Sequence, residues 1–331
     1  ALLVPGLFLA TYPLSGSWMD LGRVDNLMLF FLCASIYLLR TAKQKKLFVL
    51  AGVLAVLAFY TKQLVWVPYL ALTLWLLWEK RYKDTLIFCG TGMVLTLPIF
   101  AWLQWKSQGW FWYYLVDVPS QHLWEWDMLT YFWKVDMLLP LGILCLFVGL
   151  FIALRRHIDR TQWRFGLALL LGGLVMGWLG RLHTGGYENV LLPTYAILVL
   201  VGVLGLHNAQ SFLRRSQLSV LSVPLSLLIL IQGAVLWYDP RFFVPTPEMY
   251  ASQRQFQATV RTYSRPIWVQ SHSFYDLRVD TPLQAHLMAI ADIVRGSDDK
   301  MREELRRAFE DRLSKKLYSI IIIDDAFRWE R

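Results

Sequence analysis

The chain has 331 residues, of which 56% are apolar, 15% aromatic and only 17% charged, and its mean hydropathy is +0.41. Because soluble proteins carry about 25% charged residues, this composition excludes a disordered chain and argues against a soluble enzyme. The formal net charge of +9 could indicate nucleic-acid binding, but most of this net charge comes from a few connectors between apolar segments, so no nucleic-acid partner is expected. The three cysteines lie in apolar stretches and do not indicate a disulfide framework.

Nine apolar segments without Lys, Arg, Asp or Glu follow one another along the first 237 residues. They are 1–13, 26–39, 47–61, 64–78, 85–103, 137–154, 165–180, 189–206 and 217–237. The pattern predicts a polytopic α-helical membrane domain over residues 1–237. The first segment is too short to span a bilayer and begins with Ala1 rather than Met, so we interpret the chain as starting part-way through a helix.

The connectors between these segments alternate in charge. One set, 40–46, 79–84, 155–164 and 207–216, holds 13 basic and three acidic residues. The other set, 14–25, 62–63, 104–136 and 181–188, holds five basic and seven acidic residues. The positive-inside rule places the first set in the cytoplasm and the second on the outer side. Every segment then crosses once without conflict, which favours a multi-pass membrane protein with an outer C-terminal tail.

The tail, residues 238–331, is the soluble part of the chain. Strands are predicted at Ile267-Trp268-Val269 and at 317–323, and helices at 248–262, 282–295 and 298–316. We therefore expect a small extracytoplasmic α/β domain over 238–331. Its two histidines, His272 and His286, lack the spacing of a metal site.

The first outer connector, 14–25, carries Asp20, Arg23 and Asp25. On a helix starting near Trp18, Asp20 and Arg23 would share a face, and Asp25 would lie on the opposite side unless the loop bends. Ionisable groups packed against membrane helices are costly unless they are used, which favours a functional site. Helix capping with an ordinary surface ion pair is the alternative interpretation.

Two further outer turns carry polar side chains. In the turn 61–63, Lys62 can bind phosphate as a point charge, or it can simply extend to the membrane interface. The loop that follows 165–180 contributes Arg181, His183, Gly185, Gly186, Tyr187 and Asn189, and Gln63 completes the set of candidate binding residues. Arginine and histidine can donate to phosphate oxygens, and two glycines let the backbone approach a ligand. A Gly-Gly turn with an asparagine N-cap is the alternative.

The long outer connector, 104–136, lies in a stretch rich in aromatic residues. From Trp102 to Trp133 there are seven tryptophans and five other Phe or Tyr residues. We expect one or two helices lying in the interface, where an aromatic belt accounts for most of this composition. Guiding a lipid carrier is the functional alternative. Weaker site candidates in this segment are Asp117, His122, Glu125 and Asp127.

Three motifs taken together carry a family resemblance. The runs DLGRVDNL at 20–27, FYTKQ at 59–63 and HTGGYENVLLP at 183–193 resemble bacterial GT-C glycosyltransferases. The closer similarity is to the family 39 type, which includes protein O-mannosyltransferases and aminoarabinose transferases of lipid A. The resemblance covers roughly residues 14–200. Each motif alone is weakly specific.

The resemblance implies a sugar transferase of the bacterial cytoplasmic (inner) membrane that uses a polyprenyl-phosphate carrier and a glycan, lipid or protein acceptor of the cell envelope. Asp20 or Asp25 would match the family's second acidic position, and its principal acid would lie before Ala1. Arg23, Lys62, Arg181 and His183 would stabilise the departing phosphate. The reaction is expected to be inverting. Its scheme requires no metal or other cofactor, and a divalent metal stays an open alternative. A flippase for a lipid-linked substrate and a non-catalytic membrane scaffold are the rival hypotheses.

Overall fold

The computed structural model describes residues 2–264, 266–271 and 285–323. They divide into two compact units: Ala1–Gln108 with Leu123–Asp239, and Gly109–His122 with Pro240–Arg331. The second unit thus includes Gly109–His122, a piece of the connector that the sequence assigned to the membrane interface.

The first unit consists of helices joined by short turns. The helices are α1 Leu3–Ala10, α2 Val24–Thr41, α3 Lys45–Thr61, α4 Trp66–Trp78, α5 Tyr82–Lys106, α8 Met128–Tyr131, α9 Leu139–Ala153, α10 Arg160–Arg181, α11 Leu192–Arg215 and α12 Ser222–Val235. A π-helical stretch, Phe132–Leu138, joins α8 to α9. Short 3-10 turns lie at Pro13–Ser15, Gln63–Val65, Glu188–Leu191 and Ser219–Leu221.

Each of the nine predicted apolar segments falls on a helix of this unit. Five helices in the described part of the chain are long and apolar enough to cross a membrane, or up to six if a bent pair counts as one span. The protein is therefore a multi-pass membrane protein, and the number of nine spans stays a prediction. One boundary differs from the prediction, since the helical stretch expected to begin at residue 137 begins at Met128 and extends to Ala153, with a kink at Leu141.

Close helix contacts build the core of the first unit. Helix α2 packs on α3, α9 on α11, and α4 on α10. A Cβ atom added at Gly172 of α10 would lie 2.7 Å from the Cα atom of Pro68 in α4, so only glycine permits this approach. Small residues at helix interfaces are typical of membrane proteins, because packing rather than the hydrophobic effect holds their helices together.

The second unit contains a minimal sheet. Its elements are α6 Trp110–Trp112, the π-helical turn Tyr113–Asp117, α7 Val118–Gln121, α13 Pro247–Thr262, β1 Ile267–Val269, α14 Leu287–Arg295, α15 Asp299–Ser314 and β2 Ile320–Ile322. The two strands pair in parallel with Ile267 opposite Ile320. Both strands lie where the sequence predicted them. Residues 282–284 of one predicted helix lie outside the described residues, and the extracytoplasmic α/β domain stays a prediction.

Candidate functional site

A buried carboxylate joins the three sequence motifs. Asp25 lies in the first turn of α2, where a negative charge is stabilised by the helix dipole, and only 1% of its surface is exposed. Its Oδ1 atom accepts a hydrogen bond from Lys62 Nζ at 2.5 Å and another from Asn189 Nδ2 at 3.0 Å. These partners come from the second and third motifs. The structure therefore brings together side chains that are 164 residues apart in the sequence.

The other oxygen of this carboxylate faces an exposed arginine. Arg23 Nε lies 3.6 Å from Asp25 Oδ2, and the guanidinium stacks 4.4 Å from the ring centroid of Trp18. Among the described residues, no hydrogen-bond donor reaches Oδ2, although that atom is buried. Two cations and one carboxylate give this group, which we call the Asp25 cluster, a net positive charge.

Asp20 lies outside the Asp25 cluster. Residues 16–23 form turns and bends, and α2 begins only at Val24, so of the two arrangements considered the structure has the bent loop and not a helix starting near Trp18. Gly16 has a positive φ of 64°, which breaks the helical path before Trp18. Asp20 is exposed, and its Oδ1 accepts a hydrogen bond from Tyr12 Oη at 2.9 Å.

A second polar group surrounds the buried guanidinium of Arg181. Its Nε donates to Asp136 Oδ2 at 2.9 Å, and its Nη1 contacts the carbonyl of Gly186 at 2.7 Å and Glu188 Oε1 at 3.3 Å. Arg181 and Asp136 are 6% and 8% exposed. Tyr195 Oη also donates to the backbone carbonyl of Asp136. These contacts fix the loop between α10 and α11 to the π-helical stretch that carries Asp136.

Sequence reasoning missed Asp136. The predicted boundary between connector and span fell directly after this residue, which made it one more loop carboxylate. Its position directly before the apolar segment 137–154 could have indicated a paired residue, because a charge beside a membrane helix needs a partner. The phosphate contact predicted for Arg181 stays a prediction, and the arginine's two carboxylate neighbours weigh against it.

The loop between α10 and α11 folds tightly around its glycines. Gly185 has a φ of 87°, and a Cβ atom on Gly186 would lie 2.0 Å from the carbonyl oxygen of Gly180. His183 forms an antiparallel bridge with Trp124, and their rings are 4.7 Å apart. A cavity of about 360 Å³ results, lined by Glu125, Met128, Tyr131, Arg181, His183, Gly185, Gly186, Tyr187 and Glu188.

Most of the remaining candidates lie apart from both the Asp25 cluster and the cavity, and Asn189 has a structural role. Asp117 accepts from the Trp112 indole, and His122 Nε2 lies 3.8 Å from Asp292 Oδ1, both within the second unit. Asp127 precedes α8, and the exposed Gln63 opens the 3-10 turn before α4. Asn189 binds Asp25 and does not cap α11, which begins at Leu192.

No metal site emerges from the part of the chain that the structure describes. Nowhere in it do three His, Cys, Asp or Glu side chains group as metal ligands would. His272 lies outside the described residues, and His286 caps α14 by accepting from the amide of Met288.

Comparison with known proteins supports one family. Residues 1–105 match the family model described as dolichyl-phosphate-mannose-protein mannosyltransferase, and this stretch includes Asp25 and Lys62. The match covers about a third of the chain and indicates a membrane glycosyltransferase of the GT-C type. The predicted resemblance is thereby confirmed over these residues, and the family implies a lipid-linked sugar donor. No curated protein and no solved structure matches the chain.

Proposed function

We propose that the transferase moves a sugar from a polyprenyl-phosphate carrier to an acceptor hydroxyl on the outer side of the bacterial cytoplasmic membrane. The acceptor belongs to a cell-envelope glycan, lipid or protein. The observation that carries this proposal is the Asp25 cluster, in which a buried carboxylate holds two cations from different connectors. A net positive group at a helix end is suited to a phosphate that gains charge as it leaves.

In the proposed reaction the acceptor hydroxyl oxygen attacks the anomeric carbon of the carrier-linked sugar. The bond between that carbon and the phosphate oxygen breaks, and its electron pair leaves with the carrier phosphate. The hydroxyl proton passes to a carboxylate acting as general base. Attack opposite the leaving group inverts the anomeric configuration, and no metal enters this scheme.

The geometry distributes these roles within the Asp25 cluster. Lys62, only 19% exposed, and the more exposed Arg23 can both donate to phosphate oxygens. Asp25 uses Oδ1 to hold Lys62 and Asn189. Its buried Oδ2 accepts no hydrogen bond among the described residues, and we assign the incoming proton to this oxygen. This arrangement favours Asp25 over Asp20 as the base, because Asp20 is exposed and already bound by a tyrosine hydroxyl.

The experiment measures loss of label from radiolabelled polyprenyl-phosphate hexose by the full-length protein in membranes. Asp25→Asn should lower the rate of transfer by at least about 100-fold, the contribution typical of a general base. Asp20→Asn is the matched control and should stay within about threefold of the wild type. Lys62→Met should weaken donor use, whereas the exposed Lys106→Met should not.

Asp25→Asn also leaves Lys62 without its carboxylate, so folding is checked separately. Asp25→Glu keeps the negative charge but disturbs the packing. The ratio of the transfer rates of Asp25→Glu and Asp25→Asn therefore measures what the carboxylate contributes to the rate. Equal rates for these two folded variants would refute the role of Asp25. Carrier movement between leaflets without transfer would instead favour the flippase hypothesis.

A further inference from the structure

The cavity between α8 and the Gly185-Gly186 turn differs in chemistry from the Asp25 cluster. Its lining combines two carboxylates, Glu125 and Glu188, with the aromatic rings of Tyr131 and Tyr187. A volume of about 360 Å³ accommodates one small polar ring. Glu188 and Tyr187 lie at the edge of the cavity, and each is 42% exposed to solvent.

An aromatic platform adjoins this cavity. Trp124 and Trp126 are 47% and 69% exposed, and their rings stack with centroids 6.2 Å apart. The platform is fixed to the cavity by backbone hydrogen bonds, from the amide of Glu125 to the carbonyl of Leu182 at 2.8 Å and from Thr184 to Leu123 at 3.0 Å. Exposed, rigidly held aromatic rings beside polar groups offer an apolar face and hydrogen-bond acceptors at the same place.

The charges around the cavity are predominantly negative. Arg181 is its one cation within the described residues, and it is already shared between Asp136 and Glu188. Glu125 adds a third carboxylate, whose Oε1 accepts a hydrogen bond from Thr184 Oγ1 at 2.7 Å. The ring of His183 lies 4.7 Å from the ring of Trp124, centroid to centroid. One guanidinium and three carboxylates have a summed formal charge of −2, which repels anions.

We propose that this cavity and its tryptophan platform bind a saccharide ring that carries no anionic group. The hydroxyl groups of the ring donate to Glu125 and Glu188, and its apolar face lies on the rings of Trp124 or Trp126. The inference deepens the proposed function, on which it rests for placing the carrier phosphate at the Asp25 cluster. Glu188 lines the cavity, and the next residue, Asn189, belongs to the Asp25 cluster. The sugar and the phosphate would therefore bind on opposite sides of the 3-10 turn Glu188–Leu191.

The test compares three probes that share one ring and differ in charge: glucose, protonated glucosamine and glucuronate, together with the corresponding galacto and manno sets. Binding is measured by saturation-transfer NMR on the protein in phosphatidylcholine nanodiscs, because detergents with sugar headgroups would compete. Glucosamine and glucose should bind, and glucuronate should bind about tenfold more weakly or not at all, since the carboxylates are partly screened by solvent. Inorganic phosphate should not displace glucose.

Two variants connect this selectivity to the cavity. The double variant Glu125→Gln/Glu188→Gln keeps the hydrogen-bond acceptors but removes two charges, so glucuronate should approach the affinity of glucose to within about threefold. Trp124→Ala should weaken all three probes together. Wild-type protein that binds glucuronate as tightly as glucosamine, or that binds no sugar of any set while folded, would overturn the proposal.

Two further measurements show whether the bound ring belongs to the donor or to the acceptor, and whether sugar binding depends on the role proposed for Asp25. Asp25→Asn should leave glucose binding unchanged, so sugar binding survives even if the proposed role of Asp25 fails. In transfer assays, competition of glucose with the lipid-linked donor would assign the cavity to the donor sugar. Competition with the acceptor would assign it to an acceptor glycan, and glucose that inhibits neither at binding concentrations would overturn a role in the reaction.

Discussion

Removing one partner of the buried pair of Asp136 and Arg181 should cost far more stability than the length of its hydrogen bond suggests. Asp136→Asn removes the charge but keeps the shape of the side chain, which leaves Arg181 buried with Glu188 and the Gly186 carbonyl as its remaining partners. Breaking a buried ion pair by removing one partner costs about 3–5 kcal/mol. Because two partners remain, we expect the lower end, about 3 kcal/mol, or more than 100-fold in the folding equilibrium.

A matched control exists at the opposite end of the bundle. Arg81 Nε lies 2.9 Å from Asp84 Oδ2, the same atoms at the same distance as in the Arg181–Asp136 pair. The two Arg81–Asp84 side chains are 28% and 29% exposed, against 6% and 8% for the buried pair. Asp84→Asn should therefore cost about 0–1 kcal/mol, because solvent reaches both side chains of this half-buried pair and screens their charges.

The free energy of unfolding is measured by reversible denaturation in mixed micelles, followed by circular dichroism. The double variant Asp136→Leu/Arg181→Met should recover most of the stability that Asp136→Asn loses, since it removes both charges from the apolar surroundings. Equal losses for Asp136→Asn and Asp84→Asn would refute the argument that burial sets the strength of these pairs. A double variant less stable than the single one would contradict the desolvation argument.

Two other outcomes follow from local geometry. Gly172→Ala should destabilise the protein by about 1–3 kcal/mol, because its Cβ would strike the backbone of Pro68, whereas Gly142→Ala, with no atom within 4 Å of its Cβ, should be close to neutral in the same unfolding assay. In α15, hydrogen bonds from Arg306 and then Arg307 lower the pKa of Glu303 to about 2. The stabilisation from this lowered pKa is present at pH values above the ordinary pKa of glutamate and is lost as pH falls towards 2. Glu303→Gln should therefore reduce the stability of α15 at neutral pH but not near pH 2. Hydrogen exchange of the helix amides measures this difference.

The sequence by itself determined where the helices lie, and it predicted one side of the membrane for the candidate residues. Hydropathy is a local property, and each of the nine apolar segments lies on a helix. The alternation of connector charge placed Asp25, Lys62 and Asn189 on one predicted side, and in the structure these three side chains meet. The two short strands were also predictable, because their apolar runs are bounded by polar residues.

Only the tertiary structure decided which polar groups pair. Two carboxylates five residues apart looked equivalent in sequence, yet Asp25 is buried with three partners and Asp20 is exposed. The pairing of Arg181 with Asp136 depends on how α10 packs beside the π-helical stretch, which no local pattern encodes. Residue type and spacing specify the chemical groups that are available, whereas their contacts depend on side-chain directions that are set only when helices distant in sequence pack together.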